Sequence, residues 1–215
     1  MKKKLLALSL IAVMSLSFTA CGGGNTNSSS KADTKAETEA TTAAAEAATE
    51  ATNENEPKVE KSDGITKETY YTNKELDIKG TTGTINYTID QIQVSNVTFD
   101  NDDIASAAEM KKGDKGALVA IHMTVENTSD DTTYFYADQA NMVTDTKEKT
   151  TPNVWFSDSM DGEYNGKIKN EGTLMYFFKN SDAKDIKSVK YTADAPSNEN
   201  FEPNGNEVVE EISLQ

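Results

Sequence analysis

Residues 117–126 constrain the fold most, because Val119, Ile121, Met123 and Val125 alternate there with Leu118, Ala120, His122 and Thr124. Period two sends successive side chains to opposite faces, which makes this segment a strand in a half-buried sheet. Asn127, Thr128, Ser129, Asp130 and Asp131 end it in a turn. Ile85, Tyr87 and Ile89 alternate in the same way, and Ile92 and Val94 continue in the opposite phase. Such an inversion predicts a bulge or a change of face near Asp90 and Gln91. Val97 and Phe99 shift phase once more. Further strands are predicted over 132–136, 142–144, 173–179, 186–192 and 208–214, with one short helical candidate from Ile104 to Lys112. About seven short strands joined by Gly, Asn, Asp and Ser turns predict an all-β domain, an antiparallel β-sandwich. Period two alone suits a closed barrel equally well.

The only cysteine is Cys21, so no internal disulfide staples this domain and its apolar core must hold it. Lys2, Lys3 and Lys4 precede an apolar run over 5–18, shorter than the roughly 20 residues a spanning helix needs. That pattern is a cleaved export signal over residues 1–20. Phe18, Thr19, Ala20 and Cys21 resemble the lipobox of bacterial lipoproteins, in which the cysteine receives a diacylglycerol and becomes the first mature residue. The resemblance implies lipidation of Cys21 and an anchor on the extracytoplasmic face of the cell membrane, acyl chains contributing about 0.8 kcal/mol per buried methylene.

From Cys21 to residue 68 the chain is rich in Asn, Ser, Thr, Ala, Glu and Lys and carries few large apolar side chains. A segment of that composition buries too little to offset its ordering entropy, so it is expected to be a disordered tether. Roughly 45 flexible residues have a root-mean-square reach of about 35–40 Å. The folded domain is then expected over 69–215. The net charge of −15 becomes −18 when the three lysines of residues 1–20 are removed, and every basic residue is lysine. A chain this acidic, with no guanidinium fork for phosphate, is not a nucleic-acid binder.

Gly116 to Asp130, then Met142, Val143, Thr144 and Asp145, then Gly166 to Leu174 and Ile186 to Tyr191, resemble the telokin-like immunoglobulin-sandwich domains of unknown function common in lipoproteins of Gram-positive bacteria. The resemblance covers about Thr84 to Thr192. It implies an immunoglobulin-like β-sandwich related to the secreted mycobacterial immunoprotective antigen, and it implies no activity. The chain lacks the cysteine pair of antibody domains.

No catalytic set is visible. His122 is the only histidine, Cys21 is committed to lipid, and no Gly-x-Ser-x-Gly occurs. No cofactor or metal site is expected. The Asp158–Gly166 stretch fails as a calcium loop, because with Gly162 at the invariant glycine Ile168 stands where a bidentate Glu is needed. Trp155, Phe156, Tyr164, Tyr134 and Tyr136 are the candidate binding residues, an aromatic patch for a protein, glycan or cell-wall partner. The expected function is a non-catalytic, membrane-anchored binding lipoprotein. The alternative is an accessory lipoprotein that binds a small ligand or Ca²⁺ through the acidic loops at Asp100–Asp103 and Asp130–Asp131 and works with a transporter.

Overall fold

The computed structural model describes residues 57–62 and 64–214, and within them the chain is an antiparallel β-sandwich. Cys21, the signal segment and the tether up to residue 56 lie outside the described residues.

The strands are β1 (Lys58–Ser62), β2 (Ile65–Asn73), β3 (Ile78–Thr82), β4 (Ile85–Phe99), β5 (Lys115–Asn127), β6 (Thr133–Tyr134), β7 (Asn141–Thr144), β8 (Lys149–Thr150), β9 (Glu163–Tyr164), β10 (Lys169–Phe178), β11 (Ser188–Ala193) and β12 (Val208–Ser213). Among the described residues one α-helix, α1, spans Asp102–Ala107, and a 3-10 turn spans Ala137–Gln139. The larger sheet runs β1-β2-β4-β5-β10, with β3 on the first half of β4. The smaller runs β12-β11-β7-β8, and β6 and β9 form a separate two-stranded ribbon.

The phase inversion in β4 is a bulge at Asp90. Ile89 pairs with Met123 and Gln91 with His122, so β4 advances two residues while β5 advances one. The extra residue keeps Ile85, Tyr87, Ile89, Ile92 and Val94 on one face, where they meet Val119, Ile121 and Met123 of β5 and Leu174, Tyr176 and Phe178 of β10. The smaller sheet closes this core with Met142, Val189, Tyr191 and Ile212. Tyr87 bridges the layers by donating to Glu210 Oε1 at 2.6 Å; burial and that carboxylate raise its hydroxyl pKa.

Val97 and Phe99 need no second bulge. Pairing with β5 continues unbroken to Thr98, pairing with β2 takes in Phe99, and Val97 and Phe99 face the other side of the sheet. That side is also buried: Ile65, Val97, Phe99, Leu118, Met175 and Phe177 lie there beneath Ala105, Ala108 and Met110 of the α1 region. The larger sheet is therefore covered on both faces at one end.

Two sequence boundaries are corrected. Paired strands reach back at least to β1, about eleven residues before the expected 69, because β2 pairs with β4 along most of its length and β1 pairs with β2. Lys67, expected in the tether, is 5% exposed, and its ammonium lies 2.9 Å from Glu60 Oε2 and 3.1 Å from Gln93 Oε1. The helix starts two residues before Ile104 and ends at Ala107, since Asn101 Oδ1 accepts from the Asp103 and Ile104 amides and caps it there. Acidic Asp102 and Asp103 in its first turn complement the helix dipole.

Candidate functional site

Trp155 and Phe156 sit on a loop that runs along the open edge of β10. Asn153 N donates to Met175 O at 2.8 Å, Met175 N to Ser157 Oγ at 2.9 Å, and Asp158 and Thr173 exchange two further bonds. Asn153 organises the turn: its Nδ2 donates to Ala107 O of α1, and its Oδ1 accepts from Trp155 N. Phe156 turns inward and meets Phe177 edge-on at 5.0 Å; Phe177 in turn lies 5.9 Å from Phe99. Val154 and Trp155 turn outward and are 81% and 73% exposed. One half of the loop is structural and the other is displayed.

Tyr134 and Tyr136 belong to a different surface. Tyr134 pairs with Glu163 across the β6–β9 ribbon, which Asn127 holds by donating from Nδ2 to Tyr164 O. Phe201, which sequence reasoning did not single out, stacks on Tyr134 at 5.3 Å with the ring planes 20° apart. It is 74% exposed and has φ +59°, a left-handed conformation that costs a side-chain-bearing residue about 1–2 kcal/mol. The Tyr136 ring packs against Gly162, where a Cβ would collide with Tyr136 Cδ1. The anchors of the two surfaces, Asn127 for the ribbon and the residues facing Thr173 and Met175 for the loop, are five to seven residues apart on β5, roughly 17–23 Å. The five aromatic candidates therefore do not form one patch.

Tyr164 is a correction. It is completely buried in the main core, and burial raises its hydroxyl pKa. In a two-residue strand no periodicity exists to tell its inward face from an outward one. Around it lies a polar cluster that sequence reasoning also missed: Asp138 Oδ1, Tyr164 Oη, Asn170 Nδ2 and Tyr176 Oη are buried, with Asn170 beside Tyr164 and Asp138 near both tyrosines. Burial raises the Asp138 pKa, backbone hydrogen bonds opposing it, and nearby Asp161 adds to the rise.

The remaining polar candidates are engaged in structure. Asp90 Oδ1, on the bulge residue, lies 2.7 Å from His122 Nδ1. Asp100 accepts from Thr66 Oγ1, Asp158 Oδ2 accepts from Thr173 N, and Asp130 pairs with Lys167. Among the described residues no three His, Cys, Asp or Glu side chains come together as metal ligands.

Residues 40–211 match the family Domain of unknown function (DUF5068). The chain belongs to this family. One relative, the SPbeta prophage-derived uncharacterized lipoprotein YonS of Bacillus subtilis (strain 168), is 29% identical over 154 residues, 71% of this chain and 68% of that protein. That relative's name agrees with the reading of this chain as a lipoprotein. Among solved structures, a functionally unknown protein from Listeria monocytogenes EGD-e shares the fold, with a TM-score of 0.55 at 14% identity over 69% of this chain and 88% of that one.

Proposed function

We propose that this DUF5068 protein is a non-catalytic binding module, lipidated at Cys21 and held on the extracytoplasmic face of the bacterial cell membrane, with the segment between Cys21 and β1 as its tether. The module begins at β1 and carries no cofactor. Its kinship is with the telokin-like immunoglobulin sandwiches that include the mycobacterial antigen, and its partner is a protein, glycan or wall polymer. The observation that carries the reading is the Val154–Trp155 tip, apolar and exposed on a loop whose other residues are fastened to β10 and α1. A soluble domain gains nothing in folding from an exposed indole, whereas a rigid aromatic contributes large contact area to a partner at low entropic cost.

Cosedimentation with purified cell envelopes tests it, using Cys21→Ser protein so that lipid plays no part. Trp155→Ala is expected to weaken binding about tenfold without altering the melting midpoint. Equal binding by the variant removes the loop from the reading. In cells, Cys21→Ser is expected in the soluble fraction or unprocessed; a processed, membrane-bound variant overturns the anchor.

A further inference from the structure

The surface built by Tyr134, Tyr136 and Phe201 has a chemistry of its own. Three segments shape it: 131–141 with β6, 158–166 with β9, and 194–207 with Phe201. Together they contain nine Asp and Glu residues and not one lysine. Glu163 stands directly across from Tyr134, which in an antiparallel pair puts both side chains on one face about 5 Å apart. Glu199 is two residues from Phe201. Partial burial raises the Tyr134 hydroxyl pKa, and Glu163, Glu199 and Tyr136 raise it further, as expected if all three crowd that ring.

The loop holding Phe201 is tightly bonded. Asn198 Oδ1 accepts from the amides of Asn200 and Glu202, Phe201 N donates to Asn198 O, and Asn204 N donates to Pro196 O at 2.7 Å. Ser197 bridges on one side to Tyr134 and on the other to Pro203. A phenylalanine kept in a left-handed conformation at the tip of such a loop, with most of its ring in water, works against folding stability. A stacked aromatic pair rimmed by carboxylates presents negative π-faces and negative charge together.

We propose that Tyr134, Tyr136 and Phe201 form a platform for a cationic polypeptide, whose arginine or lysine side chains stack on the rings while Glu163 and Glu199 take their charge. The absence of lysine from these three segments favours a cation over a neutral glycan, which needs no such one-sided charge, and disfavours an anionic polymer. Arginine is preferred to lysine because a planar guanidinium stacks on an aromatic face and pairs with a carboxylate at once. This site is distinct from the Trp155 loop and does not depend on it.

The test titrates the full chain, purified in detergent, with octa-arginine and octa-lysine peptides and follows the heat of binding; a neutral oligosaccharide is the control. Octa-arginine is expected to bind several-fold tighter than octa-lysine, with affinity falling as salt rises. Phe201→Ala, which leaves net charge untouched, is expected to lower affinity about fivefold, the scale of a cation–π contact. Phe201→Leu should lose as much and Phe201→Tyr should keep it. Glu163→Gln should also weaken binding, while Glu75→Gln, an exposed charge on the β2–β3 connection, should change it less than about twofold. Phe201→Ala and Phe201→Leu proteins that bind like wild type refute the platform, because diffuse acidity would then account for all the affinity. Binding of the oligosaccharide with none of the peptide refutes the cationic partner.

Discussion

Phe177 is the hinge between the outer face of the larger sheet and the loop that displays Trp155. It is buried, with Phe99 on one side and Phe156 edge-on on the other. Phe177→Ala removes a whole ring from between two others, and truncations of this kind cost about 3–5 kcal/mol when the surroundings only partly collapse. For a domain of roughly 150 residues each kcal/mol moves the midpoint by about 2–4 °C, so a fall of about 6–20 °C is expected in a thermal melt. The loss is also local. Phe156 loses its partner, and the loop keeps only its hydrogen bonds from Asn153, Ser157 and Asp158. Trp155 is the only tryptophan in the chain and so reports on this loop alone. Its fluorescence anisotropy in the still-folded variant is expected to drop well below wild type at 25 °C. Val154→Ala, at an 81% exposed position, should shift stability by no more than about 0.5 kcal/mol and leave the anisotropy as it was. A Phe177→Ala protein that loses less than about 1 kcal/mol, or one whose Trp155 is as immobile as in wild type, would refute the outer-face cluster as the loop's support.

Two other substitutions probe the polar interior. Asn127 is fully buried, its Nδ2 lies within 2.8–3.2 Å of the Asp131, Tyr164 and Gly166 carbonyls, and its Oδ1 accepts from Ser129 N. Asn127→Ala strands these groups and should cost about 2–4 kcal/mol in a urea melt, a loss under about 1 kcal/mol showing that the ribbon is held otherwise. Asp138 has a folded-state pKa raised above 3.8, chiefly by burial, so its ionised form opposes folding. The favourable contribution is complete below pH 3.8 and disappears as pH rises through the folded value. Asp138→Asn should therefore stabilise at pH 7 and give little difference from wild type below about pH 4; an equal difference at both pH values would mean that charge is not the cause.

The long strands were legible because burial on one face writes period two into the sequence, and the inversion between Ile89 and Ile92 pointed to a bulge or a change of face near Asp90 and Gln91, where the register shift lies. The first two strands were not legible for an equally physical reason. Lys58, Glu60, Lys61, Lys67 and Glu68 give this stretch the composition of a solvated tether, yet backbone hydrogen bonds join β1 to β2 and β2 to β4, and its buried Lys67 ammonium is matched by Glu60 of the neighbouring strand. Composition registers the charges and not the pairing. The covered outer face did leave a trace, the unbroken run Leu174-Met175-Tyr176-Phe177-Phe178, since a strand buried on both sides has no reason to alternate. The grouping of the candidate aromatics was not legible, because it depends on contacts between segments far apart in sequence. Phe201 reaches Tyr134 across 67 positions, and no local pattern connects them.

The two edges of the larger sheet show why the Trp155 loop is free to carry a function. An exposed edge strand invites pairing with other chains unless it is charged, short or covered. The β1 edge is five residues long and bears Lys58, Glu60 and Lys61. The β10 edge is ten residues long; Lys169 and Glu171 charge its start, but residues 172–178 are buried and charge there would have to enter a buried strand, so covering is the remaining solution. The 153–158 segment supplies that cover through the backbone of Asn153 and Asp158 and the side chains of Asn153, Ser157, Asp158 and Phe156. None of these bonds uses the side chain of Val154 or Trp155. The edge therefore stays protected whatever the tip presents, so residues 154 and 155 can answer to a partner while the rest of the loop answers to the fold.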